Sequence, residues 1–167
     1  MERTWRLPYG SVETFSQNGW GTREFLDDRF GMLTKAIELS KTTLPGFALE
    51  PLVHCHLGVN DLKYNRSAKE VAGALKLIAL RCLANESGFI AHLPIYVQPG
   101  APGWPADSAE RLIEYHVEII RTGIRIGDTQ GYCYFKSNAE QTDGVHPTRR
   151  GSVVWGSLVA RSMRSML

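Results

Sequence analysis

The spacing of apolar residues divides the chain into alternating helical and extended stretches. Over residues 22–41, "TREFLDDRFGMLTKAIELSK", Phe25, Leu26, Phe30, Leu33, Ile37 and Leu39 recur at intervals near three and four, the mark of an amphipathic helix. Gly31 interrupts it at a cost of about 1 kcal/mol relative to Ala, so a break is expected there. "PLVHCHLG", residues 51–58, is apolar throughout and predicts a strand buried on both faces, as parallel strands are. Ser67 and Glu70 form a capping box, behind which Val71, Ala74, Leu75, Ile78 and Leu83 supply a helix core face. "FIAHLPIYV" predicts the next strand, and "QPGAPGWPAD" a long loop punctuated by Gly and Pro. Residues 107–122 then read as a helix carrying Leu112, Ile113, Val117 and Ile120. "GYCYF" reads as a short strand, and a last helix runs through Val153, Val154, Leu158, Val159 and Met163.

Near the N-terminus "TWRLPYGS" predicts a first strand with Pro8 close to its end. Strands and helices alternating at βαβ spacing imply an α/β fold, a three-layer αβα sandwich around a parallel, flavodoxin-like sheet. No linker or repeat divides residues 1–167, so a single domain is expected. Ligands in such sheets sit at the carboxyl ends of strands. Two compact polar clusters fall on that rim: "GVNDL", residues 58–62, ends a buried strand, and "DGVHP", residues 143–147, opens the last helix.

Composition narrows the function classes. With 43% hydrophobic and 22% charged residues and a net charge of +2, the chain offers no electrostatic case for nucleic acid or an anionic membrane. Cys55, Cys82 and Cys133 are odd in number and form no Cys-x-x-Cys pair, which fits reduced thiols better than a disulfide framework. No leader-like or membrane-length apolar run occurs, so a cytoplasmic protein without membrane insertion is expected. Oligomeric state is not legible. His54 and His56 share one side of a strand, and a zinc site would need His92, Asp61 or His146 as a third ligand. Partly buried histidines bonded to neighbours are the simpler expectation. No Walker or Rossmann glycine fingerprint is present.

Asp143 and His146 stand three residues apart across a Gly turn. In that arrangement a carboxylate can hold one imidazole nitrogen and leave the other as a base. A base of this kind needs a hydroxyl to deprotonate, and acyl transfer needs donors aimed at an oxyanion, for which the Asn60 amide is a candidate.

These residues resemble the SGNH (GDSL-type) esterases and lipases. Gly58, Val59, Asn60 and Asp61 match the family's Gly-x-Asn-Asp block after a buried strand, and Asp143, His146 and Pro147 match its Asp-x-x-His block. The first block departs from the pattern. "GWG" at residues 19–21 and the helix after it resemble the isoamyl-acetate-hydrolase branch. Aligned there, Gly10 and Ser11 stand where the family has Gly-Asp-Ser. The resemblance implies Ser11 as nucleophile, with Ser16 as the fallback and an ordinary turn serine as the plain alternative. The second block has no evident counterpart, as if one strand and its oxyanion loop were missing. Gly31 is the candidate for the missing N–H, with Gly19 and Gly21 as alternatives.

On this resemblance the protein is a cofactor-independent, metal-independent serine esterase acting on short acyl esters, small or glycan-linked. Asp61 and Trp104 are placed near substrate, Asp61 also fixing its loop by bonding to nearby backbone, and Trp104 either walling an acyl or sugar pocket or anchoring its own loop. The rival from another class is a catalytically silent domain of the same fold that binds an ester, glycan or protein. A nucleotide- or flavin-binding module would explain the layout but not the two polar clusters.

Overall fold

The computed structural model describes residues 5–7, 10–12, 17–41 and 51–164, and only the backbone for 5–7, 10–12 and 163–164. Along the chain lie strands β1 (Trp5–Leu7) and β2 (Gly10–Val12), helices α1 (Thr22–Leu26) and α2 (Met32–Ser40), and strand β3 (Leu52–Cys55). Then follow α3 (Ala68–Ala84), β4 (Gly88–Ala91), α4 (Ser108–Arg121), α5 (Gly131–Ser137) and α6 (Arg149–Arg164). β3 pairs with β4 in parallel, Val53 opposite Phe89 and Cys55 opposite Ala91. A single parallel bridge from Ala91 to Ile126 continues the sheet one strand further.

Side chains alternate across β4 as the pleat requires. Phe89, Ala91 and Leu93 join Val53, Cys55, Val71, Leu75, Ile78, Leu112, Tyr115 and Ile119 in one buried cluster under α3 and α4. His92 faces the other way, where His56 stacks on it at 4.0 Å and Trp155 of α6 meets His56 edge-on at 4.8 Å. Helices therefore cover both faces, giving the three-layer αβα sandwich expected from the sequence. Among the described residues β3 pairs with β4 alone.

The N-terminal stretch differs from the expected single strand. β1 and β2 form an antiparallel pair of their own, Arg6 opposite Ser11, on either side of residues 8 and 9. The break at Gly31 is present: Asp28, Phe30 and Gly31 all have left-handed φ (54°, 59°, 66°), and a 3-10 turn separates α1 from α2. Asp28 then caps α2, its carboxylate accepting from the N–H groups of Leu33 (2.7 Å) and Thr34 (3.0 Å). On that turn Phe30 leaves the core, 83% exposed, and stacks on Trp20.

"GYCYF" is helix, not strand. Asp128 fixes the start of α5 by accepting from Gln130 N–H (2.9 Å) and Gly131 N–H (3.0 Å), and Tyr132 and Phe135 turn inward one turn apart. The face of α4 is rotated from expectation, and that of α3 departs at its last position alone. In α4 the buried positions are Leu112, Tyr115 and Ile119, which leaves Ile113, Val117 and Ile120 in solvent. In α3 Cys82 takes the core place expected of Leu83.

Candidate active site

Gly58, which opens "GVNDL", is required by a close approach of two chain segments. After β3 the chain crosses close to the extension of β4. A Cβ on Gly58 would lie 2.7 Å from Pro94 Cγ, and its φ of +118° suits only glycine. The chain then turns into a short 3-10 segment, Asn60–Leu62. Asp61 is wholly buried there. Its carboxylate accepts from the Thr22 N–H (2.9 Å), the Thr22 hydroxyl (2.9 Å) and Arg66 Nη1 (2.7 Å). Arg66 also donates to Glu24, at 2.9 and 2.5 Å.

This knot ties residues 19–24 to residues 60–66. Tyr64 Oη donates to the Gly19 carbonyl (2.8 Å), and Asn60 Nδ2 donates to the Trp20 carbonyl (2.9 Å). With one amide hydrogen held, the Asn60 side chain is fixed in direction and its second N–H remains as a donor. Arg66 holds the Glu24 carboxyl down at about 2. Asp61 anchors the loop through these bonds, its side chain having no exposed surface.

Gly31 offers no free donor. Its N–H is bonded to the Asp28 carbonyl at 2.9 Å as part of the turn before α2. Gly21 N–H is likewise occupied, by Glu24 Oε2 at 3.0 Å.

The second cluster sits in a tight loop closed by the antiparallel bridge Gln141–Pro147. The Thr142 N–H donates to the His146 carbonyl (2.9 Å), and Gln141 Nε2 holds the carbonyls of Val145 (2.9 Å) and Tyr96 (2.7 Å). Inside the loop Asp143 Oδ1 accepts from the N–H groups of His146 (2.8 Å) and Val145 (3.0 Å). Its Oδ2 meets His146 Nδ1 at 2.6 Å. A carboxylate acceptor makes Nδ1 the protonated nitrogen and leaves Nε2 for proton transfer. The His146 backbone N–H, then its ring, push the Asp143 carboxyl far below the ordinary range. The His146 side chain is 74% exposed.

A third loop joins the two clusters. Gln98 N–H donates to the Gly144 carbonyl (2.8 Å), and Trp104 N–H to the Ala101 carbonyl (3.1 Å). The Trp104 ring lies under Lys63 Nζ at 4.4 Å, one residue past the Asn60–Leu62 turn. Trp104 is half-buried, with Lys63 over one face of its ring.

Of the expected catalytic residues, Asp143 and His146 are in contact, and Asn60 stands braced at the end of β3. Ser11 has a described backbone, in β2, while its side chain lies outside the described residues, as does Ser16 entirely.

The fold is shared with GDSL-type lipases and acetylxylan esterases. A GDSL-like lipase from Bacteroides thetaiotaomicron superposes with a TM-score of 0.67 at 20% identity, over 89% of this chain and 73% of its own. A lipase/acylhydrolase from Enterococcus faecalis gives 0.63 at 19% identity, over 89% and 73%. An acetylxylan esterase from Geobacillus stearothermophilus gives 0.63 at 15% identity, over 86% and 68%. No protein-family model and no curated protein matches the chain.

Among the described residues no group of His, Cys, Asp and Glu could hold a metal ion. His54, His56 and His92 bond and stack on one another instead. The Asp128 N–H donates to His92 Nδ1 (2.8 Å), so His92 Nε2 carries the hydrogen toward His54 Nδ1 (3.3 Å). Burial lowers His92 to about 4 and lowers His54 as well. The pairing of Arg66 with Glu24 spans 42 positions, so no local pattern in the sequence signals it.

Proposed function

We propose that the protein is a serine esterase of the SGNH type, acting on short acyl esters, small or glycan-linked. The observation that carries this reading is the Asp143–His146 contact of 2.6 Å, which assigns Nδ1 to the carboxylate and Nε2 to proton transfer. The shared fold with lipases and an acetylxylan esterase supports it. In the proposed reaction Ser11 Oγ attacks the ester carbonyl as His146 Nε2 takes its proton. Asn60 Nδ2 donates to the oxyanion. His146 then protonates the departing alcohol, and water, deprotonated by the same nitrogen, releases the acid and restores the serine. No cofactor or metal enters these steps.

One observation favours a second reading. Ser11 belongs to an antiparallel strand pair rather than to the parallel sheet. A silent ester- or glycan-binding domain is therefore the rival. Treatment with a fluorophosphonate, followed by peptide mass spectrometry, separates the two. An adduct on Ser11 that disappears in His146→Ala supports the esterase. No adduct on the folded chain refutes it and leaves the binding module.

A further inference from the structure

Two neighbouring helices show apolar residues to solvent with regular spacing. On α4 these are Ile113, Val117 and Ile120, exposed by 48, 41 and 54%. On α3 they are Leu77, Leu80 and Leu83, exposed by 53, 51 and 70%. The two helices pack side by side, with Tyr115 Oη and Arg111 of α4 both bonded to the Arg66 carbonyl just before α3. Single exposed apolar residues are ordinary, but six on adjacent helix faces mark an interaction surface. Gly73 lies on the outward side of α3 with open space above it, a notch in a helix where alanine would be more stable by about 1 kcal/mol.

The charges on this face indicate its occupant. The outward side of α3 carries Lys69 and Lys76, its Glu70 carboxylate being bound to the N–H and hydroxyl of Ser67, and that of α4 carries Glu110 and Glu114. Among the described residues none of the four belongs to an ion pair; the exposed Arg121 does, with Glu118. A basic helix beside an acidic one complements itself under a two-fold rotation that lays α3 of each copy on α4 of the other. We infer that α3 and α4 form the interface of a homodimer, with Leu80 near its centre and the lysines of each copy against the glutamates of its partner.

Sedimentation velocity across a concentration series tests this. The wild-type chain should dimerise, and Leu80→Glu should raise the dissociation constant at least about tenfold, since it buries a charge in an apolar contact. The double variants Lys69→Glu/Lys76→Glu and Glu110→Lys/Glu114→Lys should each be monomeric, because like charges then face each other. Mixed together they should form a heterodimer, because both halves of the mixed interface regain opposite charges. All these positions are at the surface, and circular dichroism confirms that each variant is folded. A wild-type chain still monomeric at about 1 mM, which corresponds to a binding free energy of only about 4 kcal/mol, overturns the inference. So does a dimer indifferent to Leu80→Glu, or a mixture that fails to associate.

Discussion

The backbone N–H of Gln98 donates to the carbonyl oxygen of Gly144 at 2.8 Å. Through this bond the loop after β4 braces the turn that presents Asp143 and His146. Three residues past Ala101 the same loop reaches Trp104, whose ring lies under Lys63. The two polar clusters are thus linked by a shared loop, although 80 residues separate Lys63 from Asp143.

The contact sets a limit at Gly144. Its φ is +81°, and a Cβ there would come 2.9 Å from Ala101 Cβ and 3.2 Å from Gln98 Cβ. Gly144→Ala should cost roughly 1–3 kcal/mol for the strained backbone. Urea unfolding measures that loss. Because the strain falls beside the 2.6 Å Asp143–His146 contact, any esterase turnover should fall by more than the loss of folded protein explains.

Asn60→Ala tests the oxyanion role. The variant loses the bond to the Trp20 carbonyl, worth about 1 kcal/mol of stability. If the amide also meets an oxyanion, kcat should drop about 100- to 1,000-fold with KM little changed. An unchanged kcat on a cleavable ester would assign Asn60 to bracing alone.

Asp61→Ala tests the anchor. The buried carboxylate serves Thr22 and Arg66 together, and its removal leaves a largely buried guanidinium with one carboxylate, Glu24, and the Tyr64 ring. Breaking a buried pair on one side costs about 3–5 kcal/mol, far more than the Asn60 substitution. Chemical denaturation should place the two variants in that order. Equal losses would mean that the knot between residues 19–24 and 60–66 contributes little to stability.

What could be read from the sequence was local. Capping at Ser67, the break at Gly31, the strand before Gly58 and the Asp143–His146 turn each depend on residues within a few positions of one another, and each is present in the fold, although that strand is buried on one face only, at Val53 and Cys55. The errors came from long-range packing. Asp128 caps "GYCYF" into a helix although its aromatics suit a strand, because capping and inward packing of Tyr132 and Phe135 outweigh propensity. In α4 the three aliphatics at positions 113, 117 and 120 form a regular stripe. Tyr115 nevertheless faces the core, because its hydroxyl finds the Arg66 carbonyl. Periodicity alone shows that a helix has an apolar side, not which apolar side meets the sheet.

Acid should destabilise the protein in two successive windows. Burial depresses His92 from 6.5 to about 4, so between those values the unfolded chain binds a proton that the folded chain does not. Stability from this group is present above pH 6.5 and is lost as pH falls toward 4. Hydrogen bonding to Arg66 depresses Glu24 from 4.5 to about 2, and its contribution is complete above pH 4.5 and lost toward pH 2. Urea midpoints recorded from pH 7 to pH 3 should therefore decline through both ranges. His92→Gln, which can still accept from the Asp128 N–H, should lessen the decline between pH 6.5 and 4 without abolishing it, because burial lowers His54, His56 and His116 as well. Arg66→Gln should instead flatten the decline below pH 4.5. If His92→Gln leaves the upper slope as steep as before, His92 is not a source of the acid sensitivity.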